Sequence, residues 1–311
     1  MEETKKQKKC TRKNLEKSLP LHLMMCLPML MLLIFHFGGL GGIVIAFEDY
    51  LPGKGWYVFG SDFVGLDNFI RIFNEPTIWK ILLNTIIISL EKIVIGTIVP
   101  IVLALLLNEV AVKSVKKFVQ TSIFIPYFIS WVILSGIFSR LFSPDSGSVT
   151  TLFASIGIKL PNFIGDPKWF RTYILLTAVW KGAGYTTIIH LAAISGIDPS
   201  LYEAAKIDGA SRLGQCFHIT IPGMIVSILL MSVLNMGNIL NAGFDQIYQL
   251  YNEAVYSTGD VLDTYIYRIA FEGAMDYGLS TATNLLKSIV SLIFMVGSYW
   301  FAYKKFDYKV I

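Results

Sequence analysis

Charge is scarce in this chain. Of its 311 residues only 15% are charged and 54% are hydrophobic, with a mean hydropathy of +0.59, whereas soluble domains carry about 25% charged residues. That deficit argues against a water-soluble globule and for a membrane protein, and no nucleic-acid partner is expected. Cysteine is nearly absent. Cys10, Cys26 and Cys216 are too few and too scattered for a disulfide framework or a metal site. The motifs of catalysis are missing too: there is no Gly-x-Ser-x-Gly, His-Glu-x-x-His or Gly-x-x-x-x-Gly-Lys-Ser/Thr. The Gly-Lys pair at Gly53-Lys54 is followed by Gly55, not by a phosphate-binding hydroxyl. No catalytic residue, metal or cofactor is therefore expected on this chain, and no repeat of fixed period organises it.

Long apolar runs are what the chain has instead. A membrane-crossing helix needs roughly 20 apolar residues, and six runs qualify: 24–47, 81–107, 120–142, 172–195, 219–241 and 284–303. The first outlasts the roughly 7–15 apolar residues of a cleavable signal. The fold class expected is an all-α polytopic membrane protein with six transmembrane helices. Lysine and arginine set its orientation. The tail, the 108–119 and 196–218 loops and the C-terminus hold fifteen, and the alternate loops hold seven. Both termini and the 196–218 loop are thus expected in the cytoplasm. The expected organisation is a basic tail (1–23), a first helix (24–47), an extracytoplasmic segment (48–80), a five-helix core (81–305) with a cytoplasmic loop at 196–222, and a tail (306–311). The aromatic 48–80 segment should fold onto the membrane surface, segment 143–171 should be a turn, and the forty-residue stretch 243–283 is long enough to carry its own structure.

The cytoplasmic loop reads as a helical hairpin. Asp198 is placed to cap a helix that Pro199 begins, Ala204, Ala205 and Lys206 favour it, and Gly209 ends it in a left-handed conformation. A second short helix should run from Ser211 to Pro222. Ser200-x-x-Glu203 also fits a capping box, in which Glu203 only satisfies a backbone N–H.

Across this loop the chain reads Glu203-Ala204-Ala205, three residues, Gly209, nine residues, and Ile219-x-Ile221-Pro222. That spacing resembles the EAA loop of permease subunits of bacterial ATP-binding-cassette (ABC) importers. The resemblance implies the type I (MetI-like) permease fold, and coupling to an ATPase through Glu203, Ala204, Ala205, Asp208 and Gly209. It further implies a second, different permease chain, two ATPase subunits that bind ATP and Mg, and an extracytoplasmic binding protein. Trp180-Lys181-x-x-Gly184-Tyr185, Leu191-Ala192-Ala193 and Phe244-Asp245-Gln246-Ile247 look like the permeases for oligosaccharides and polysaccharide fragments, which are often served by a lipoprotein binding protein. Those relatives often carry a proline where this chain has Val226. The implied substrate is a carbohydrate; a non-sugar solute, or ion-driven secondary transport, is the alternative.

Polar residues within apolar runs are candidates for a pathway. Asn235, Asn238, Asn241 and Asp245 recur at helical spacing, and their groups suit sugar hydroxyls, although asparagines also join helices. Trp180 and Tyr185 are candidates to stack on a sugar ring. Glu91, Lys92 and Lys181 read either as a Lys–Glu structural pair or, for a lysine, as a partner of a sugar carboxylate. His36 and His190 read as packing residues, and Gly38 and Gly42 as a close helix contact.

Overall fold

The computed structural model describes residues 18–54, 60–273 and 275–306. The basic tail before residue 18, the end after residue 306, and Trp56, Tyr57 and Phe59 lie outside the described residues.

Six helical runs make up the bundle. Four are long helices: α1 (Ser18–Phe47), α3 (Ile78–Glu109), α7 (Pro167–Ser195) and α13 (Tyr277–Phe306). Two are bent pairs: α4 (Lys113–Phe128) with α5 (Trp131–Leu141), and α9 (Arg212–Gly223) with α10 (Ile225–Gly237). Between them lie α2 (Asp67–Asn74), α6 (Ser148–Ser155), α8 (Pro199–Ile207), α11 (Phe244–Leu250) and α12 (Leu262–Tyr267). Among the described residues α1, α3 and α13 are each long and apolar enough to cross a membrane, and the count rises to five if each bent pair is one span. Helix α7 has the length, at 29 residues, but Lys168, Arg171, Lys181 and its threonines dilute it, so six spans are not reached on composition.

Two expected spans break. The run at 120–142 bends by 105° between α4 and α5. Pro126 tightens the end of α4 into a 3-10 turn, and the Ser130 side chain accepts the Ile133 N–H to start a new helix. The run at 219–241 bends by 56° at Met224, two residues beyond Pro222, and its helix stops at Gly237. Asn238, Asn241 and Asp245 therefore do not continue the helical face of Asn235. Segment 143–171, expected as a turn, contains α6.

Three apolar clusters follow one another along α3. Ile78 and Ile81 join Ala46, Ile72, Leu240, Leu262 and Ala282. Ile88 joins Phe138, Phe170, Ile174 and Ile247. Ala104 and Leu107 join Leu191, Ile194 and Met224. Helix α7 packs along α3 more extensively than any other pair, and α13 packs on α10 and on the end of α1. Outward, Phe35, Leu83, Val102, Ile293 and Trp300 are exposed, the arrangement that lipid, not water, favours for a helical bundle.

The outer segments carry structure of their own. Strands β1 (Glu48–Asp49) and β2 (Asp62–Phe63) pair antiparallel. The long 243–283 stretch is pinned by buried Asp260: its carboxylate accepts from Arg268 at 2.6 Å and from Thr264 at 2.8 Å, and its carbonyl accepts from Asn84 at 3.1 Å. Arg171 donates to Asn84 at 2.7 Å, so α3, α7 and the outer segment meet in one polar network. Lys287 of α13 adds an ion pair with Asp263.

Candidate functional site

Two regions gather the residues singled out above: the loop between α7 and α9, and a pair of cavities against the middle of α7.

The loop helix α8 is built by local chemistry. The Asp198 carboxylate accepts the Ser200 N–H at 2.9 Å, and Pro199 occupies the first turn. The helix ends in a Schellman motif: Ala210 N–H bonds to Ala205 C=O at 2.8 Å, Gly209 N–H bonds to Lys206 C=O at 3.1 Å, and Gly209 has φ of +77°. With Asp198 as cap, Ser200 lies inside the helix, so Glu203 is not the second half of a capping box. Glu203 is exposed and bonds to no other described residue. Ala204, Asp208 and Gly209 are exposed beside it, and Ala205 is half-buried. A hydrogen bond of 3.0 Å between Tyr202 and Thr220 ties α8 to α9, and α7 leads into α8 through Gly196 and Ile197. Ile207, which the motif does not mark, is 86% exposed, one helical turn from Glu203.

The Ser200 backbone N–H, and after it the Ser200 hydroxyl, hold the Asp198 carboxyl below the usual carboxylate range. The cap is therefore complete above the unfolded pKa of Asp198 and is lost as pH falls through the lower, folded value. Amide exchange at Ser200, corrected for its intrinsic rate, should accelerate only in that acid window, and an Asp198→Asn variant should show no such acceleration. Equal acceleration in both proteins would remove the carboxylate from the account.

The larger cavity, about 840 Å³, opens where the α4–α5 break faces α7 and α11; Tyr127, Trp131, Lys181, Asp245, Tyr248 and Tyr267 line it. Lys181 Nζ donates to the Tyr127 carbonyl at 2.6 Å and lies 5.4 Å and 5.6 Å from the ring centres of Tyr127 and Trp131. The Tyr127 ring is stacked on Tyr185, 4.5 Å between centres, so Tyr185 supports this wall from behind. A second cavity of about 230 Å³ is lined by Ser89 and Lys92 of α3, Thr186 of α7, and Asn235, Asn238 and Asn241. Both cavities touch Ala178 and Gly182. The structure thus brings the three asparagines together by a turn, and places Asp245 with Lys181 in the neighbouring space. Trp180 points elsewhere: it meets Phe138 edge-on at 5.5 Å in an apolar hollow with Phe142 and Phe163.

The Lys–Glu pair does not form. Lys92 donates to the Ala242 carbonyl at 2.5 Å and to Gln246 Oε1 at 2.6 Å, Lys181 to Tyr127, and no ion pair joins Glu91 to either lysine among the described residues. His190 is buried and shares a 3.1 Å hydrogen bond with Ser227, a packing role.

Residues 93–303 match the model of the binding-protein-dependent transport system inner membrane component. The chain belongs to that family. It is a multi-pass membrane permease, and its all-α bundle has the type I importer permease fold. Among its relatives is the polygalacturonan/rhamnogalacturonan transport system permease protein YteP of Bacillus subtilis (strain 168), 42% identical over 277 residues that cover 89% of this chain and 85% of that one. Protein LplB of the same organism is 38% identical, covering 92% of this chain and 89% of its own. Among solved structures, a bacterial ABC transporter involved in the import of the acidic polysaccharide alginate superposes with a TM-score of 0.84 at 33% identity, covering 95% of this permease and 99% of that chain. The cavity residues Tyr127 and Trp131 of the permease escaped the reading by hydropathy. The signal available for them was Pro126 followed by Ser130, a helix stop and start that swings both aromatics towards α7.

Proposed function

We propose that this permease forms half of the translocation pathway for an oligosaccharide and receives its driving force from a separate ATPase through α8. The pairing that carries the reading lies within one helix: α7 walls both polar cavities and leads directly into an exposed helix capped at both ends. A helix so fixed transmits a displacement instead of absorbing it. Amide and hydroxyl groups beside aromatic faces suit sugars, and YteP and the alginate transporter, both similar to this permease, are named for polysaccharides.

In this reading the lysine and arginine excess places both termini and α8 in the cytoplasm. The partners are a second, different permease chain, two ATPase subunits that bind ATP and Mg, and an extracytoplasmic binding protein held by a lipid anchor. This chain itself is non-catalytic. The related alginate transporter has been solved in complex with a periplasmic protein carrying an alginate pentasaccharide, which supports delivery from outside. ATP-driven closure of the ATPases turns the permease pair outward, and hydrolysis resets it. Glu203 meets a basic residue of the ATPase, with Ala204, Ala205, Asp208 and Gly209 shaping the contact.

The test is uptake by the complete importer in proteoliposomes. Glu203→Gln keeps shape and helix propensity but loses the charge, so ATP-dependent sugar uptake should fall at least tenfold while the complex still assembles. Unaltered coupling of ATP hydrolysis to transport in that variant would remove the ionic docking role. Proton- or sodium-driven uptake by this chain alone would overturn the importer reading itself.

A further inference from the structure

The larger cavity holds a cation with nothing of opposite charge bound to it. One N–H of Lys181 is committed to the Tyr127 carbonyl, and the Tyr127 and Trp131 ring centres lie 5.4 Å and 5.6 Å from the ammonium. No carboxylate pairs with Lys181 among the described residues. An ammonium inside a bundle is costly unless it is paired or faces a polar cavity, and this one is half-buried on the wall of the largest cavity described. The opposite wall is aromatic: Phe244 stacks on Tyr248 at 5.2 Å, and Tyr248 meets Tyr267 at 4.8 Å. Two acids stand on that side. Glu272 accepts the Tyr248 hydroxyl at 2.8 Å, and Asp245 is exposed to the cavity with no described partner.

We propose that this cavity is a subsite for the carboxylate of an acidic sugar unit, with Lys181 as the residue that selects it. The inference rests on the carbohydrate-import reading above and names the substrate class, an oligouronate. The two walls fix the orientation of the ligand. Lys181 donates to the carboxylate, the rings of Tyr248 and Tyr267 cover a pyranose face, and Asp245 accepts from hydroxyls at the other end. A charge-assisted hydrogen bond is about twice as strong as a neutral one. A neutral sugar gains only the stacking and the hydroxyl bonds, so the acidic one is preferred. A lysine serves where arginine would not be required, because a carboxylate that slides through must also be released, and a single ammonium grips less rigidly than a bidentate fork.

The experiment uses the complete importer, in nanodiscs for binding and in proteoliposomes for uptake, with short oligogalacturonates and oligomannuronates as probes beside the same sugars methyl-esterified at the carboxyl. Equilibrium binding to the permease without its binding protein is measured for wild type, Lys181→Gln and Lys181→Arg, and ATP-dependent uptake is measured for wild type. Lys181→Gln should weaken binding of the acids at least tenfold and of the esters less than twofold, while Lys181→Arg keeps the preference for the acid. Loss of both classes alike in Lys181→Gln would mark a merely structural lysine and overturn the inference, as would no loss of either. Wild-type importer that neither binds nor takes up any of these sugars would overturn the assigned substrate class; wild-type uptake with an insensitive Lys181→Gln would overturn the selectivity role and leave the carbohydrate reading standing.

Discussion

Replacing Gly184 by leucine is expected to leave almost no folded permease, and replacing it by alanine is expected to lower the unfolding midpoint by several degrees. Gly184 lies where α7 crosses α4. A Cβ built there would overlap the carbonyl group of Ile123 and come within 2.9 Å of Phe124 Cα. These are backbone atoms, so no rotamer change relieves the overlap; α4 must move outward. That movement loosens Ile123 against Leu191 and Ile194 and displaces the Tyr127 carbonyl that holds Lys181. Small residues at membrane helix crossings serve this close approach, and overpacking costs about 1–3 kcal/mol, or more where backbone must shift. At roughly 2–4 °C per kcal/mol, alanine should cost about 5 °C, measured by thermal unfolding of the purified complex, and leucine should eliminate the monodisperse peak in size exclusion. Gly182 is the control on the same helix. Nothing lies within 4 Å of a Cβ added there, so Gly182→Ala should leave the midpoint unchanged or raise it. An unchanged midpoint in Gly184→Ala would show that the crossing does not depend on the glycine.

The contrast between Gly209 and Gly184 shows what a sequence discloses. Gly209 was legible because a helix end is local: Asp198 accepts a backbone N–H two residues on, Pro199 brings no N–H that needs a partner, and Gly209 closes the last turn, and the structure places each in that role. Gly184 was legible only as a letter in a motif, because the atoms that forbid a side chain belong to helix α4, about sixty residues earlier. The runs at 120–142 and 219–241 sit between these cases. Hydropathy reads them as continuous, since Ile, Leu and Val are equally apolar on both sides of a break. The breaks follow from Pro126 with Ser130, and from Pro222 with Gly223, and the second run ends early at Gly237; these signals are local and available but weaker than twenty apolar residues. The asparagines illustrate the result. Helical spacing put Asn235, Asn238 and Asn241 on one face, and they do meet in one cavity, yet by a turn after Gly237 that lets three amides converge.

That turn depends on Lys92, and Lys92→Met is expected to lower the unfolding midpoint by roughly 5–10 °C and to depress uptake of acidic and neutral sugars alike. Between Gly237 and Phe244 the chain leaves the helix, and Gly243 takes a φ of +89° that an L side chain rarely adopts. Backbone carbonyls freed inside a membrane bundle must find donors there. Lys92 supplies them: its ammonium donates to the Ala242 carbonyl and to Gln246 Oε1. Gln246 in turn donates to the Ile174 carbonyl at 2.7 Å and to Thr177 Oγ1 at 2.8 Å. One chain of hydrogen bonds thus runs from α3 through α11 to α7, and Gly243 leaves room for it, since a Cβ there would stand 3.0 Å from the Lys92 nitrogen. Methionine matches the length of lysine but donates nothing. Each acceptor left without a donor costs about 1–3 kcal/mol, and the two are neighbours, so a total near 3 kcal/mol is expected rather than a simple doubling. The functional signature separates the two lysines. Lys181 is the proposed partner of the sugar carboxylate in the larger cavity, so its loss should change which sugar is preferred. Lys92 holds the wall on which Asn238, Asn241 and Asp245 are carried, so its loss should lower uptake of every sugar without changing the preference. A Lys92→Met permease that discriminated between acid and ester more weakly than wild type, at an unchanged midpoint, would exchange the roles assigned to the two residues.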